Sequence, residues 1–132
     1  MVKPPIPMMS NTVAAGFPSP ATDYIEKEIC LEEMVITNPG ATFYIRVKGD
    51  SMVDACIPSG AILVVDRSIE ARSGNIIVGW LDGQWCVKRM EKTLDGCILK
   101  SENAKYAPIT ILPETNFQVW GVVTFAIVDT QN

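Results

Sequence analysis

The sequence predicts a mainly β protein with one short helix and an extended N-terminal arm. Three features carry that prediction: short β-type runs between turn signals from Ala41 onward, weak helical periodicity throughout, and a proline-rich start. The first 22 residues hold five of the nine prolines (Pro4, Pro5, Pro7, Pro18, Pro20) and a single charge, Lys3. Proline fixes φ and donates nothing to a β ladder, so residues 1–22 are expected to be an extended, weakly anchored arm, with residues 23–132 as the folded domain. Asp23 to Ile36 mixes charged and apolar residues and reads as a strand-like entry followed by a short helix around Leu31 to Val35. Asn38-Pro39-Gly40 then turns the chain.

The β-type runs follow in order. Phe43 to Lys48 is the first, and Ala61 to Val65 is the second, opened by the turn Pro58-Ser59-Gly60. Asn75 to Leu81 and Gln84 to Met90 flank Asp82-Gly83, a two-residue signal for a hairpin turn with left-handed backbone. Cys97 to Lys100 and Phe117 to Val128 complete the set.

Composition excludes several functions. At 132 residues the chain supports one core, and 15 acidic against 11 basic residues give a net charge of -4, which disfavours direct nucleic-acid binding. No run approaches the ~20 apolar residues of a membrane span. Val13-Ala14-Ala15 imitates a secretory cleavage site, but the preceding KPPIPMMSNT lacks the apolar stretch a signal peptide requires. The four cysteines (Cys30, Cys56, Cys86, Cys97) show no paired spacing and there is no histidine, so neither a metal site nor a cofactor is expected. Reduced thiols in a cytoplasmic protein fit that pattern. The missing histidine also rules out Ser-His-Asp and Cys-His mechanisms within one chain. A nucleophilic serine here needs another base.

The Gln84 to Met90 run offers one. Alternation places Trp85, Val87 and Arg89 on one face and Cys86, Lys88 and Met90 on the other. A lysine between a cysteine and a methionine is poorly hydrated, and desolvation lowers its pKa from about 10.4 towards the range of a general base. A solvated edge lysine with its stem lying along apolar neighbours is the plainer reading of the strand alone. Gly49-Asp50-Ser51-Met52 directly follows the first β run, so Ser51 falls at a turn or helix start where backbone N–H groups are free to face an oxyanion. By itself the tetrapeptide equally suits a helix N-cap. In the arm, Ala14-Ala15-Gly16 offers small residues able to enter a narrow cleft in extended form.

Together these pieces resemble a known family. Ala15-Gly16-Phe17-Pro18-Ser19-Pro20-Ala21, Gly49-Asp50-Ser51-Met52, and Asp82-Gly83 leading to Val87-Lys88-Arg89 match the order and spacing of the LexA/UmuD self-cleaving serine peptidases. Leu99-Lys100-Ser101-Glu102-Asn103, Tyr106-Ala107-Pro108-Ile109 and Trp120-Gly121-Val122-Val123 extend the match over nearly the whole chain. The resemblance implies a β-clip domain like those of LexA and signal peptidase, with a Ser51-Lys88 dyad, cleavage between Ala15 and Gly16, and an oxyanion hole from the backbone of Ser51 and Met52. It further implies a cytoplasmic homodimer cleaving itself in response to a RecA-nucleoprotein filament after DNA damage. The trimmed product would serve a UmuC-type translesion DNA polymerase. Only 15 residues precede the cleavage position, too few for a helix-turn-helix domain, so the UmuD-like members are the better match than the repressors. The alternative is a catalytically vestigial, β-rich polymerase-binding subunit. Two positions depart from the family pattern: Cys56 stands where a glycine is common, and Ala61 follows Gly60 where an aspartate is common.

Overall fold

The computed structural model describes residues 5–10, 12–13, 15–18 and 25–131; Ala14 and residues 19–24 of the expected arm and domain entry lie outside them. The chain divides into two compact units, Met1–Thr37 and Asn38–Asn132. In the first, strand β1 (Ile6–Met9) pairs antiparallel with β2 (Ile25–Ile29), with Ile6 opposite Ile29. The prolines do extend the chain, but extension here leads to pairing. Pro7 is tolerated because a two-stranded ribbon has only edges. Helix α1 (Leu31–Val35) follows, with Glu32 and Glu33 in its first turn, where negative charge complements the helix dipole. Between β1 and β2, residues 15–17 bend the chain and are exposed.

The second unit is one seven-stranded sheet. Its strands are β3 (Thr42–Arg46), β4 (Ile62–Asp66), β5 (Ile76–Leu81), β6 (Gln84–Lys92), β7 (Cys97–Lys100), β8 (Ile109–Ile111) and β9 (Phe117–Ile127). Their order across the sheet is β3-β4-β9-β5-β6-β7-β8, with every neighbouring pair antiparallel. This mainly β architecture with its short helix agrees with the expected β-clip class. Strand β8 is three residues long, and no run in the sequence marks it.

Two apolar clusters hold the sheet. Leu63, Val65 and Val78 pack with Val47, Met52, Ile57 and Ala61 in one, and Ile77, Met90, Leu99, Ile111 and Val122 form the other. Ile77 and Val78 are adjacent on β5 and so point to opposite faces, which places the clusters on either side of the strand. The β5–β6 hairpin turns at Asp82 (φ 48°) and Gly83 (φ 83°), both left-handed, as a primed two-residue turn requires.

The loop between β3 and β4 carries Ser51. Its base is closed by backbone hydrogen bonds from Val47 N–H to Ala61 O (2.9 Å) and from Gly60 N–H to Val47 O (2.8 Å). Gly49 (φ 99°) takes a conformation that L side chains rarely adopt, turning the chain sharply just before Asp50 and Ser51. A single 3₁₀ turn, Val53–Ala55, follows and ends at Cys56, whose φ of 63° and ψ of 30° are left-handed. Cys56 thus holds a left-handed conformation that glycine adopts at no steric cost. That strain costs about 1–2 kcal/mol. Burial of Met52, only 1% exposed beside Ser51, returns about 1.5–3 kcal/mol and anchors the same loop in the core. Anchorage outweighs strain, so the loop holds. Cys56→Gly is accordingly expected to raise unfolding free energy by about 1 kcal/mol, strain relief exceeding glycine's added unfolded-state entropy. Urea denaturation of the two proteins checks this; a less stable glycine variant would mean the left-handed residue carries no strain.

Candidate active site

A cavity of about 690 Å³ lies between β3 and β6, lined by Phe43, Ile45, Val47, Ser51, Val87 and Lys88 among others. Both sequence-predicted dyad residues thus reach one space from different elements. Ser51 arrives on the pinned β3–β4 loop, and Lys88 on the long β6 strand, whose partner Ile77 is fully buried. Among the described residues, neither the Ser51 nor the Met52 backbone N–H donates a hydrogen bond. Ala15 and Gly16 lie in the other unit, on the exposed bend between β1 and β2.

The electrostatics of Lys88 follow from its neighbours. Cys86 and Met90 flank it on the same face, Met90 being buried and Cys86 partly so. Desolvation pulls the Lys88 amine below the ordinary lysine value, with the Cys86 thiol opposing more weakly. Burial in turn pushes the Cys86 thiol up, so it stays protonated and supplies no counter-charge. Lys88 joins none of the ion pairs among the described residues. Its Nζ donates a hydrogen bond of 2.7 Å to Ser101 Oγ and sits 5.5 Å from the centre of the Tyr106 ring.

A further layer surrounds Ser51. The Asp50 carboxylate accepts hydrogen bonds from Lys105 Nζ (2.6 Å) and Tyr106 O–H (2.6 Å), and these two hold it below the usual carboxylate range, Lys105 most strongly. Asn103 Nδ2 donates to the Asp50 backbone oxygen (2.9 Å), and Asp54 N–H donates to Glu102 O (2.8 Å). The Glu102 side chain is paired with Arg89 on β6. The Lys105–Asp50 pair is solvent-exposed and contributes little stability, so its effect is orientation. One segment, Ser101 to Tyr106, therefore touches both the serine loop and the lysine strand. Sequence reasoning quoted these residues without giving them a task. The β6–β7 hairpin register, which sets Arg89 opposite Lys100, was the signal that places Ser101 near Lys88.

Aromatic side chains form another feature that pattern reasoning missed. Trp80, Trp85 and Trp120, all three tryptophans of the chain, stack edge-on with centroids 4.9 and 5.5 Å apart, and Phe43 lies 5.2 Å from Trp120. Trp80 and Trp85 face each other across the β5–β6 hairpin, and the sheet order adds Trp120 from β9. Among the described residues no group of side chains is arranged to hold a metal ion, and no helix is long and apolar enough to cross a membrane.

Comparison with known proteins sets this geometry in context. The Peptidase S24-like family matches residues 7–124. Protein MucA of Salmonella typhimurium is 37% identical over 125 residues, covering 94% of this chain and 85% of that protein. Protein ImpA of Shigella flexneri is 38% identical over 127 residues, covering 92% and 82%. LexA repressor 1 of Geobacter sulfurreducens is 35% identical over 105 residues, covering 80% of this chain and 51% of the repressor. The cavity, the serine loop and the lysine strand all fall within the matched region, and the chain belongs to the Peptidase S24-like family, the self-cleaving serine peptidases of the LexA/UmuD type.

Proposed function

We propose that Ser51 is the nucleophile and Lys88 the general base of a reaction in which this chain cleaves its own Ala15–Gly16 bond. The observation that carries the reading is a serine hydroxyl and a desolvated, unpaired lysine lining one apolar cavity. Neutral Lys88 takes the Ser51 proton as Oγ attacks the Ala15 carbonyl carbon. The backbone N–H groups of Ser51 and Met52 receive the oxyanion. On collapse Lys88 returns the proton to the leaving nitrogen of Gly16, and water attacks the acyl ester with the same amine as base. An extended peptide entering the cavity meets β3, which is an edge strand able to accept a further strand.

Residues 1–22 serve in this reading as the arm that delivers the bond, and residues 23–132 as the peptidase and dimerisation domain. Tethering sets the local substrate concentration, so tight binding is unnecessary. A RecA-nucleoprotein filament that binds the docked arm better than the free arm raises the rate by population shift and supplies no catalytic group. The homodimer, trimmed to begin at Gly16, then acts in the cytoplasm as the accessory subunit of a UmuC-type translesion polymerase.

Intact-mass analysis with and without RecA, ATP and single-stranded DNA is expected to find a species beginning at Gly16, absent from Ser51→Ala and Lys88→Ala proteins. Spontaneous cleavage is expected to rise with pH through the folded pKa of Lys88, because only the neutral amine acts as base. A flat or falling profile would count against the dyad, and persistence of cleavage in Ser51→Ala would remove it. Stability supplies a separate check. The folded pKa of Lys88 lies below the unfolded value of about 10.4, so between the two values the unfolded chain binds more protons and stability rises with pH. The penalty on the folded state is therefore full below the folded pKa and fades towards the unfolded one. In a Ser51→Ala background, Lys88→Met is expected to melt at a higher temperature at neutral pH, with the gain shrinking as pH climbs that window. Equal melting temperatures would mean the ammonium is well solvated.

A further inference from the structure

Lys88 has one hydrogen-bond partner among the described residues, and it is Ser101 rather than Ser51. The position of that partner is unusually well determined. Ser101 is the first residue beyond β7, directly after Lys100, which pairs with Arg89, the neighbour of Lys88. Glu102, next in the chain, is fixed from two directions: its side chain pairs with Arg89, and its carbonyl accepts from Asp54 N–H in the serine loop. Asn103 then ties the same segment to the backbone of Asp50. The Ser101 hydroxyl thus occupies a point set by the lysine strand on one side and by the nucleophile's loop on the other.

A lysine side chain has four rotatable bonds, and nothing else in the cavity confines its amine. The groups facing it are the Cys86 thiol from its own strand, the Tyr106 ring at 5.5 Å, and Lys48 and Ser51 on the cavity wall. None of these is a carboxylate, Arg46 on the same wall is a further cation, and among the described residues no ion pair fixes the amine. A single oriented acceptor is what remains.

Building on the dyad reading, we infer that Ser101 is a positioning residue for the peptidase reaction: its Oγ holds the Lys88 amine at the cavity, oriented towards the nucleophile's loop. Its effect on the reaction has two separable parts. Loss of the hydroxyl frees the amine to leave the attack geometry, which lowers the rate of the neutral form. It also removes an acceptor for the ammonium, which favours the neutral form at lower pH. The maximum rate falls while the rise with pH begins earlier. Simple destabilisation of the fold does not produce that crossed pattern.

The test is spontaneous self-cleavage over a pH series for the full chain and its Ser101→Ala, Ser101→Thr and Ser101→Val variants. The high-pH plateau is expected to drop about ten- to hundredfold in Ser101→Ala, with its midpoint moved to lower pH. Ser101→Thr restores the plateau and midpoint, whereas Ser101→Val, of the same shape without the hydroxyl, does not. Parent-like profiles in both Ser101→Ala and Ser101→Val overturn the inference and leave the dyad standing. Should the parent itself not cleave, the failure belongs to the dyad reading. The hydrogen bond is then read directly by NMR titration of Lys88 in Ser51→Ala protein with and without Ser101→Ala. A midpoint lowered by the second substitution supports the positioning role, and an unchanged one overturns it.

Discussion

Lys88 sits where water cannot fully reach it and no negative charge compensates it, and the rest of the site makes sense only in that light. With no histidine in the chain, proton transfer at moderate pH needs a base whose own proton is loosely held. In the proposed dyad that base is Lys88, set between Cys86 and Met90 on a strand whose neighbours are core residues. The thiol of Cys86, raised by burial, opposes the downward shift of Lys88 less strongly than desolvation drives it. Desolvating the ammonium penalises the folded state, a burden that the surrounding structure has to carry.

The scaffold carries that burden by fixing everything around the lysine. Two clusters on opposite faces of β5 anchor the sheet, and Met52 sinks into one of them immediately after Ser51. The serine loop is closed at its base by Val47, Gly60 and Ala61 and held at its tip by Asn103, Lys105 and Tyr106. The left-handed cysteine at position 56 shows the same priority from another side. A non-glycine residue bears left-handed strain there, and the loop around it stays anchored in the core.

Local features were legible in the sequence where local chemistry decides them. Asp82-Gly83 specified its turn because few residues accept left-handed backbone, and that turn fixed the register which sets the faces of β6. From there, alternation alone placed Lys88 beside Cys86 and Met90. Helix α1 was readable from Leu31 to Val35. The order and spacing of the motifs further suggested the family, which the comparisons then established. What escaped was long-range. The Asp50–Tyr106 and Lys88–Ser101 hydrogen bonds join residues 56 and 13 positions apart, and no periodicity announces such partners. The stacking of Trp120 on the hairpin tryptophan Trp85 depends on strand order in the same way. Strand β1 escaped for the opposite reason: its prolines argue against a ladder, and only the partner β2 reveals one.

The central claim is that the amine of Lys88 loses its proton more readily than a lysine in water. Its most direct measurement is site-resolved NMR titration of the lysine side chains in the Ser51→Ala protein. The account predicts that Lys88 titrates below the other lysines of the chain. A Lys88 resonance titrating together with exposed lysines such as Lys105 would contradict it, and the cavity would then hold an ordinary ammonium with no means of activating a serine.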